Sequence, residues 1–316
     1  AGFIGSNLAF YFQENFPNSR IVIFDCFRST EVFDNGNLKS LGHFKNLIGF
    51  NGEIICGDIN IESDIALLDN YKFDYIFHHA AISDTRIYDQ EIIMRTNVNS
   101  FYYLLAKAQK DRSIIVYASS AATYGNEPSP QTEGQENPQN PYGYSKYAMD
   151  QIAKKFSKEN SDLTIVGLRF FNVYGPREFF KLSTASMVCQ LGHQILDGKA
   201  PRLFHNSESI FRDFIYIDDV IQSLIKACNP YQNGTYNVGT GICRSFQDIA
   251  DILQNELGTN LGTEYFTMPF KDYQMHTQAN ISSSKANLGF NPLFSLEEGI
   301  KAYIPEIKRL HTNNDL

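Results

Sequence analysis

The chain reads as an α/β protein, a doubly wound parallel (Rossmann) sheet carrying a smaller mixed α/β substrate lobe. Three observations carry that expectation. β-rich runs alternate with amphipathic segments, a Gly-Phe-Ile-Gly turn opens the chain, and the runs end in polar residues. The runs are Ile21–Asp25, Glu53–Asp58, Tyr75–His79, Ile114–Ser120 and Leu163–Arg169. Helix-period segments between most of them would cover both faces of the sheet.

In Gly2-Phe3-Ile4-Gly5 the small residues would let a backbone approach a pyrophosphate at a helix N-terminus. About 20 residues later a strand ends in Asp25, where a carboxylate would meet an adenosine ribose. The chain opens within this motif, so a first glycine and first strand are expected upstream of Ala1. Asp25 favours a free ribose hydroxyl, as in NAD, whereas Arg28 just beyond it could pair with the extra phosphate of NADP.

The polar strand ends, Asp25, Asp58, His78, His79, Ser119, Ser120 and Asn172, should converge on one rim, because ligands of open α/β sheets bind outside the carboxyl ends of the strands. His78 and His79 are neighbours on a strand and point to opposite faces, so no shared metal is expected.

The strongest signal is Tyr142-Gly143-Tyr144-Ser145-Lys146 on a helix starting near Pro141. Residues four apart share a helix face, so Tyr142 and Lys146 point the same way. A free phenol titrates near pH ~10, and a neighbouring ammonium would lower that value toward use as a base. Tyr142 could then take a proton from a substrate alcohol as its carbon is oxidised, with Ser120 hydrogen-bonded to the reacting oxygen.

After Tyr174-Gly175-Pro176 the alternation fades into shorter elements. Ser245-Phe246-Gln247-Asp248 is a capping box, followed by Ile249, Ala250, Leu253 and Leu257 on one helix face. The 316 residues allow two domains, and 43% hydrophobic against 20% charged residues is globular composition. A net charge of −8 without runs of like charge speaks against nucleic acid. No apolar stretch approaches the ~20 residues that span a bilayer and no leader pattern is visible, so no membrane partner and a cytoplasmic location are expected. Five scattered cysteines, Cys26, Cys56, Cys189, Cys228 and Cys243, read as reduced core or site-lining thiols.

Taken together, Gly-Phe-Ile-Gly, the strand-end Ser119-Ser120 and the YxxxK of Tyr142 and Lys146 resemble the extended short-chain dehydrogenase/reductase family, the nucleotide-sugar epimerases among them. Tyr117–Gly125, Phe171–Glu178 with Lys181, Arg212-Asp213-Phe214, and Tyr273 with Thr277-Gln278-Ala279 are similar to the members that act on ADP-heptose. The resemblance covers essentially the whole chain. It implies a homo-oligomeric isomerase that inverts C6 of the heptose of ADP-D-glycero-D-manno-heptose through a transient ketone, for lipopolysaccharide inner-core synthesis. A tightly bound NADP, or NAD, is implied with it.

By the same resemblance Ser120, Tyr142, Lys146 and Lys181 are catalytic, with Tyr142 and Lys181 on opposite sides of the carbonyl carbon. Cofactor contacts are implied for Gly2, Phe3, Ile4, Gly5, Asp25, Cys26, Arg28, Asp58 and Ile59. They are implied also for His79, Ala80, Ala81, Ile82, Ser83, Asn97 and Val173, besides Tyr142, Lys146 and Lys181. Sugar-nucleotide contacts are implied for Ser120, Asn172, Ser183, Gln190, Phe204, His205, Asn206, Ser207, Arg212 and Tyr273. A guanidinium such as Arg212 can grip a diphosphate with two parallel bonds, and Arg28, Lys146, Lys181 and Arg212 are expected to form a local basic rim. Gln190, Cys26 and Phe179-Phe180 depart from the residues typical at those places.

Residues 1–171 should form the dinucleotide domain, with 213–240 and about 273–295 returning to it. Residues 172–212, 241–272 and 296–316 should form the substrate lobe. A dehydratase would carry an acidic pair where Ala121-Ala122 stand. A UDP-hexose 4-epimerase would not need Lys181, and a non-catalytic NADP(H)-binding sensor would not need Tyr142, Lys146 and Ser120 together.

Overall fold

The computed structural model describes residues 1–268 and 274–312. The first half runs α1 (Phe3–Asn15), β1 (Val22–Asp25), β2 (Glu53–Cys56), α2 (Glu62–Ile65), β3 (Tyr75–His78), α3 (Gln90–Met94), α4 (Ser100–Asp111), β4 (Ile114–Ser120), α5 (Pro141–Glu159) and β5 (Ile165–Phe170). The second half adds β6 (Asn172–Tyr174), α6 (Met187–Leu196), β7 (Arg202–Phe204), β8 (Phe211–Tyr216), α7 (Ile217–Lys226) and β9 (Gly234–Val238). It closes with β10 (Cys243–Ser245), α8 (Phe246–Leu257), β11 (Glu264–Phe266), α9 (Ser282–Leu288) and α10 (Leu296–Thr312).

All five expected runs form strands. They pair in parallel as β1–β2 and as β3–β4–β5–β9. The two-residue period of a strand explains why apolar residues run unbroken along β4 and β5. Ile115, Tyr117 and Ile165 face a core shared with Phe101, Leu105 and Met149 of α4 and α5. Val116, Val166 and Leu168 face the other side, where Val220, Leu224, Ile300 and Ile307 pack. Both faces are therefore covered, the arrangement of a doubly wound sheet.

The later elements build a separate platform. β6 pairs in parallel with β8, β10 runs antiparallel to β8, and β7 pairs with β11. The expected capping box is present: the Ser245 hydroxyl accepts from Asp248 N and the Asp248 carboxylate accepts from Ser245 N. All five cysteines are free, but only Cys189 is buried. Cys56 departs from the expectation of a core thiol because it shares the outward face of β2 with Ile54, and Cys26 is likewise exposed, against Ser40.

One polar cluster lies inside the apolar layers. Asp150 on α5 accepts from Tyr117 Oη at 3.0 Å, Ser119 Oγ at 3.0 Å, and Arg169 Nε and Nη2 at 3.0 and 2.8 Å. Arg169 and Asp150 are 2% and 3% exposed, so water compensates neither. Arg169 also meets Tyr124 and Glu136. Gly167 makes the cluster possible, since a Cβ there would lie 2.4 Å from the Tyr117 hydroxyl.

Removing one partner from such a pair strands the other charge in the core. Arg169→Met should destabilise the fold by about 3–5 kcal/mol in urea unfolding, while Asp150→Asn together with Arg169→Met should cost clearly less. A double variant no more stable than Arg169→Met would contradict a stranded-charge origin.

Candidate active site

β4 ends in Ser119 and Ser120, and the chain turns at once through a short 3-10 segment, Ala121–Tyr124, toward the start of α5. The Ser120 hydroxyl accepts from Ala122 N at 3.1 Å, which fixes the rotamer that faces the helix. α5 begins with Asn140 as N-cap, its side chain accepting from Gly143 N at 2.8 Å, and Pro141 follows where a missing N–H costs nothing. A Cβ at Gly143 would sit 2.4 Å from the Ala122 carbonyl oxygen. Glycine next to Tyr142 therefore lets the first turn of α5 press against the Ser120 turn, and Tyr142 and Ser120 come within hydrogen-bonding reach.

Lys146 lies one turn further on, 2% exposed, with its ammonium donating to the Ala118 carbonyl at 2.8 Å. Burial pulls its pKa down to about 8, against the opposing charge of Asp150. Burial also pushes the Tyr142 phenol up, and only the bond with Ser120 pulls it back. The expectation that Lys146 lowers the Tyr142 phenol is thus corrected here. The ammonium is spent on the backbone of β4, and burial outweighs it.

The dinucleotide side has the features of a cradle. At Gly2 and Gly5, where α1 begins, an added Cβ would meet nothing within 4 Å among the described residues, so the helix N-terminus faces open space. Asp25 ends β1, and its carboxylate accepts from Phe27 N at 2.7 Å. Gly42 packs against that carboxylate and accepts from Arg28 N at 2.8 Å. Arg28 Nε is buried with no partner among the described residues. A free helix N-terminus, a strand-end carboxylate and an unsatisfied guanidinium nitrogen fit a dinucleotide with a phosphate near its ribose.

Other expected cofactor residues divide. Asp58 caps its own turn through Asn60 N, with Ile59 beside it, and Cys26 Sγ donates to Ser40 Oγ at 3.3 Å. Ala80 and Ser83 are exposed, Ala81 and Val173 half-buried. Ile82 turns instead into a cluster with Phe33, Ile87 and Ile93, Phe3 lies in the main core, and Ile4 packs against that core. Asn97 is fully buried and its amide is taken up by Ile82 N, Ile82 O and Ser145 Oγ, so it pins the His79–Ser83 stretch to α5. His78 is buried against Phe101, and both ring nitrogens of His79 lack a partner among the described residues.

On the lobe, Asn172 donates to Asp213 O, Gln190 to Ala185 O, and Ser183 Oγ to Asn37 Oδ1 at 2.6 Å. The Phe204 ring packs at a tilt against Phe266, His205 stacks on Tyr265, and Asn206 takes a left-handed conformation that turns Ser207 inward to Gln247. Tyr273 lies outside the described residues. Arg212 is 6% exposed, its guanidinium over Phe246 and donating to the Phe211 and Gln274 carbonyls. Of the residues expected in a basic rim, Arg28, Lys146 and Arg212 each donate to a different carbonyl, of Phe180, Ala118 and Gln274.

Lys181 stands apart from Tyr142, on the 3-10 segment Phe179–Thr184, with its ammonium 5.4 Å from the centre of the Phe3 ring. Sequence reasoning missed Asp150, Arg169 and Glu178. Asp150 carried a signal, four residues after Lys146, whereas no spacing linked it to Arg169 on β5.

Residues 1–239 match the model of the NAD dependent epimerase/dehydratase family. The chain is 35% identical over 318 residues to the ADP-L-glycero-D-manno-heptose-6-epimerase of Brachyspira hyodysenteriae, covering 98% of this chain and 96% of the relative. It is similar to the crystal structure of the Helicobacter pylori ADP-L-glycero-D-manno-heptose-6-epimerase, with TM-score 0.87, 47% identity and 97% and 93% of the two chains covered. It is also similar to the UDP-glucuronic acid 4-epimerase of Bacillus cereus in complex with NAD, with TM-score 0.80, 26% identity and 98% and 97% covered. The match over most of the chain, together with the Ser120, Tyr142 and Lys146 geometry, places this protein in the NAD dependent epimerase/dehydratase family.

Proposed function

We propose that the protein epimerises C6 of the heptose of ADP-D-glycero-D-manno-heptose to the L-glycero form in the cytoplasm, as a homo-oligomer supplying lipopolysaccharide precursors. The observation that carries the reading is the convergence of Ser120, Tyr142 and Lys146 on one helix start, with Lys181 on a different element. The heptose-epimerase names of relatives 35% and 47% identical support the choice of sugar.

When bound, a nicotinamide dinucleotide supplies reversible oxidation of the C6 alcohol to a ketone. Asp25 would hold its ribose, the N-terminus of α1 its pyrophosphate, and the unpaired Arg28 Nε an adjacent phosphate, which favours NADP. The lobe of 172–212, 241–272 and 296–316 would carry the sugar nucleotide.

Tyr142 exchanges a proton with the sugar oxygen on one face of C6 while Ser120 hydrogen-bonds that oxygen. The buried Lys146 ammonium, donating to the Ala118 carbonyl, ties the first turns of α5 to the end of β4 and so holds Tyr142 in place. Lys181 exchanges the proton when the opposite face is presented, which is what inversion requires.

Purified protein given ADP-D-glycero-D-manno-heptose should convert it, and NMR of the product should show the inverted C6. Lys181→Met should lower turnover about 100-fold or more with the fold intact, and unchanged turnover would sink the two-base reading. Turnover should also fall as pH rises through about 8, where Lys146 gives up its proton. The ammonium is complete below that value and lost above it. A rate that stays flat well beyond it would contradict a role for the ammonium.

A further inference from the structure

Lys181 is carried by a loop whose backbone is strained on both sides. Arg177 has φ 72° and Leu182 has φ 53° with ψ −124°, conformations that cost a non-glycine residue of order 1–3 kcal/mol each. Leu182 is 43% exposed, so side-chain packing offsets little of that.

Between them Glu178 is completely buried. Its carboxylate accepts from Gly175 N at 3.0 Å, Ser186 N at 2.7 Å and Ser186 Oγ at 2.7 Å, tying the two ends of the loop together. Lys181 N donates to the Glu178 carbonyl at 2.9 Å, so the same residue anchors the lysine from inside. The flanks are held from the dinucleotide side. Asn7 Nδ2 donates to Pro176 O at 2.9 Å, and the Phe180 ring stacks on His43 at 3.9 Å and 4°.

A buried carboxylate with three donors and strain at its borders is more than the loop needs merely to be a loop. We propose that Glu178 is a positioning residue, which through the strained 175–186 loop holds Lys181 at the far face of the reacting carbon. This rests on the reading of Lys181 as the second acid/base. Burial pushes the Glu178 carboxyl up, and the charge of Lys181 pulls it back down, in keeping with their proximity.

The test compares wild type, Glu178→Gln, Leu182→Gly and Lys181→Met. Each is assayed for kcat and KM with ADP-D-glycero-D-manno-heptose and for Tm, and the three proteins that keep Lys181 for its acetylation rate by acetic anhydride pulse and peptide mass spectrometry. Glu178→Gln should lose about 10- to 100-fold in kcat with little change in KM, and its Lys181 should react several-fold faster. Leu182→Gly should shift kcat and Lys181 reactivity the same way without lowering Tm, because glycine relieves the strain. It decides the matter if Glu178→Gln fails to fold.

Wild-type Lys181 reactivity in the folded variants would overturn the proposal, whatever happens to kcat. If Lys181→Met keeps full turnover, the second-base reading fails, and the acetylation rates alone then decide whether Glu178 positions the lysine.

Discussion

Along one face of α5 stand Tyr142, Lys146 and Asp150, four residues apart, and the last is locked to Arg169 of β5 where no water reaches. A buried pair of this kind adds little net stability over apolar packing but tolerates no displacement, since a shift exposes an uncompensated charge to the core. It therefore sets the height and rotation of α5 against β4 and β5. With Asp150 fixed, Lys146 meets the Ala118 carbonyl one turn earlier, and Tyr142 meets Ser120 one turn before that. The glycines at 143 and 167 are the complementary condition, the first removing a Cβ that would hold helix from turn and the second leaving room for the Tyr117 ring.

The segment that carries Lys181 follows another logic. Lys181 is on a short 3-10 segment interrupted at Leu182, not on an α-helix, so no long repeating hydrogen-bond ladder fixes its side chain in place. What replaces the ladder is Glu178 inside the segment and contacts from the first half of the chain outside it, among them the Arg28 bond to the Phe180 carbonyl. Arg28 thereby links the turn after β1, where its N–H donates to the Gly42 carbonyl, to the segment that carries Lys181.

Much of this was legible in the residues. Strand runs with polar ends, the capping box at Ser245 and the four-residue spacing of Tyr142 and Lys146 all depend on local periodicity, which a chain displays directly. The site residues that escaped notice depend on distance in space. Arg169 looked like the end of an apolar strand, and Glu178 like one more polar residue after Gly-Pro-Arg. The direction of the Tyr142 shift was misjudged because sequence shows that a lysine is near, not that its ammonium is turned to a carbonyl and that burial governs the phenol. The partners of Arg212 escaped notice for the same reason: the carbonyls of Phe211 and Gln274 are near it in space and invisible in a motif.

In the proposed mechanism Ser120, Tyr142, Lys146 and Lys181 act on protons of the sugar oxygen, and none is assigned a proton on carbon. The measurement that bears on this most directly is turnover of ADP-D-glycero-D-manno-heptose in heavy water, with the product read by NMR at C6. Oxidation and internal return predict inverted product that keeps the substrate's own hydrogen at C6. Deuterium at that carbon would mean deprotonation and reprotonation from solvent, and would contradict the assignment of these residues to a transient ketone.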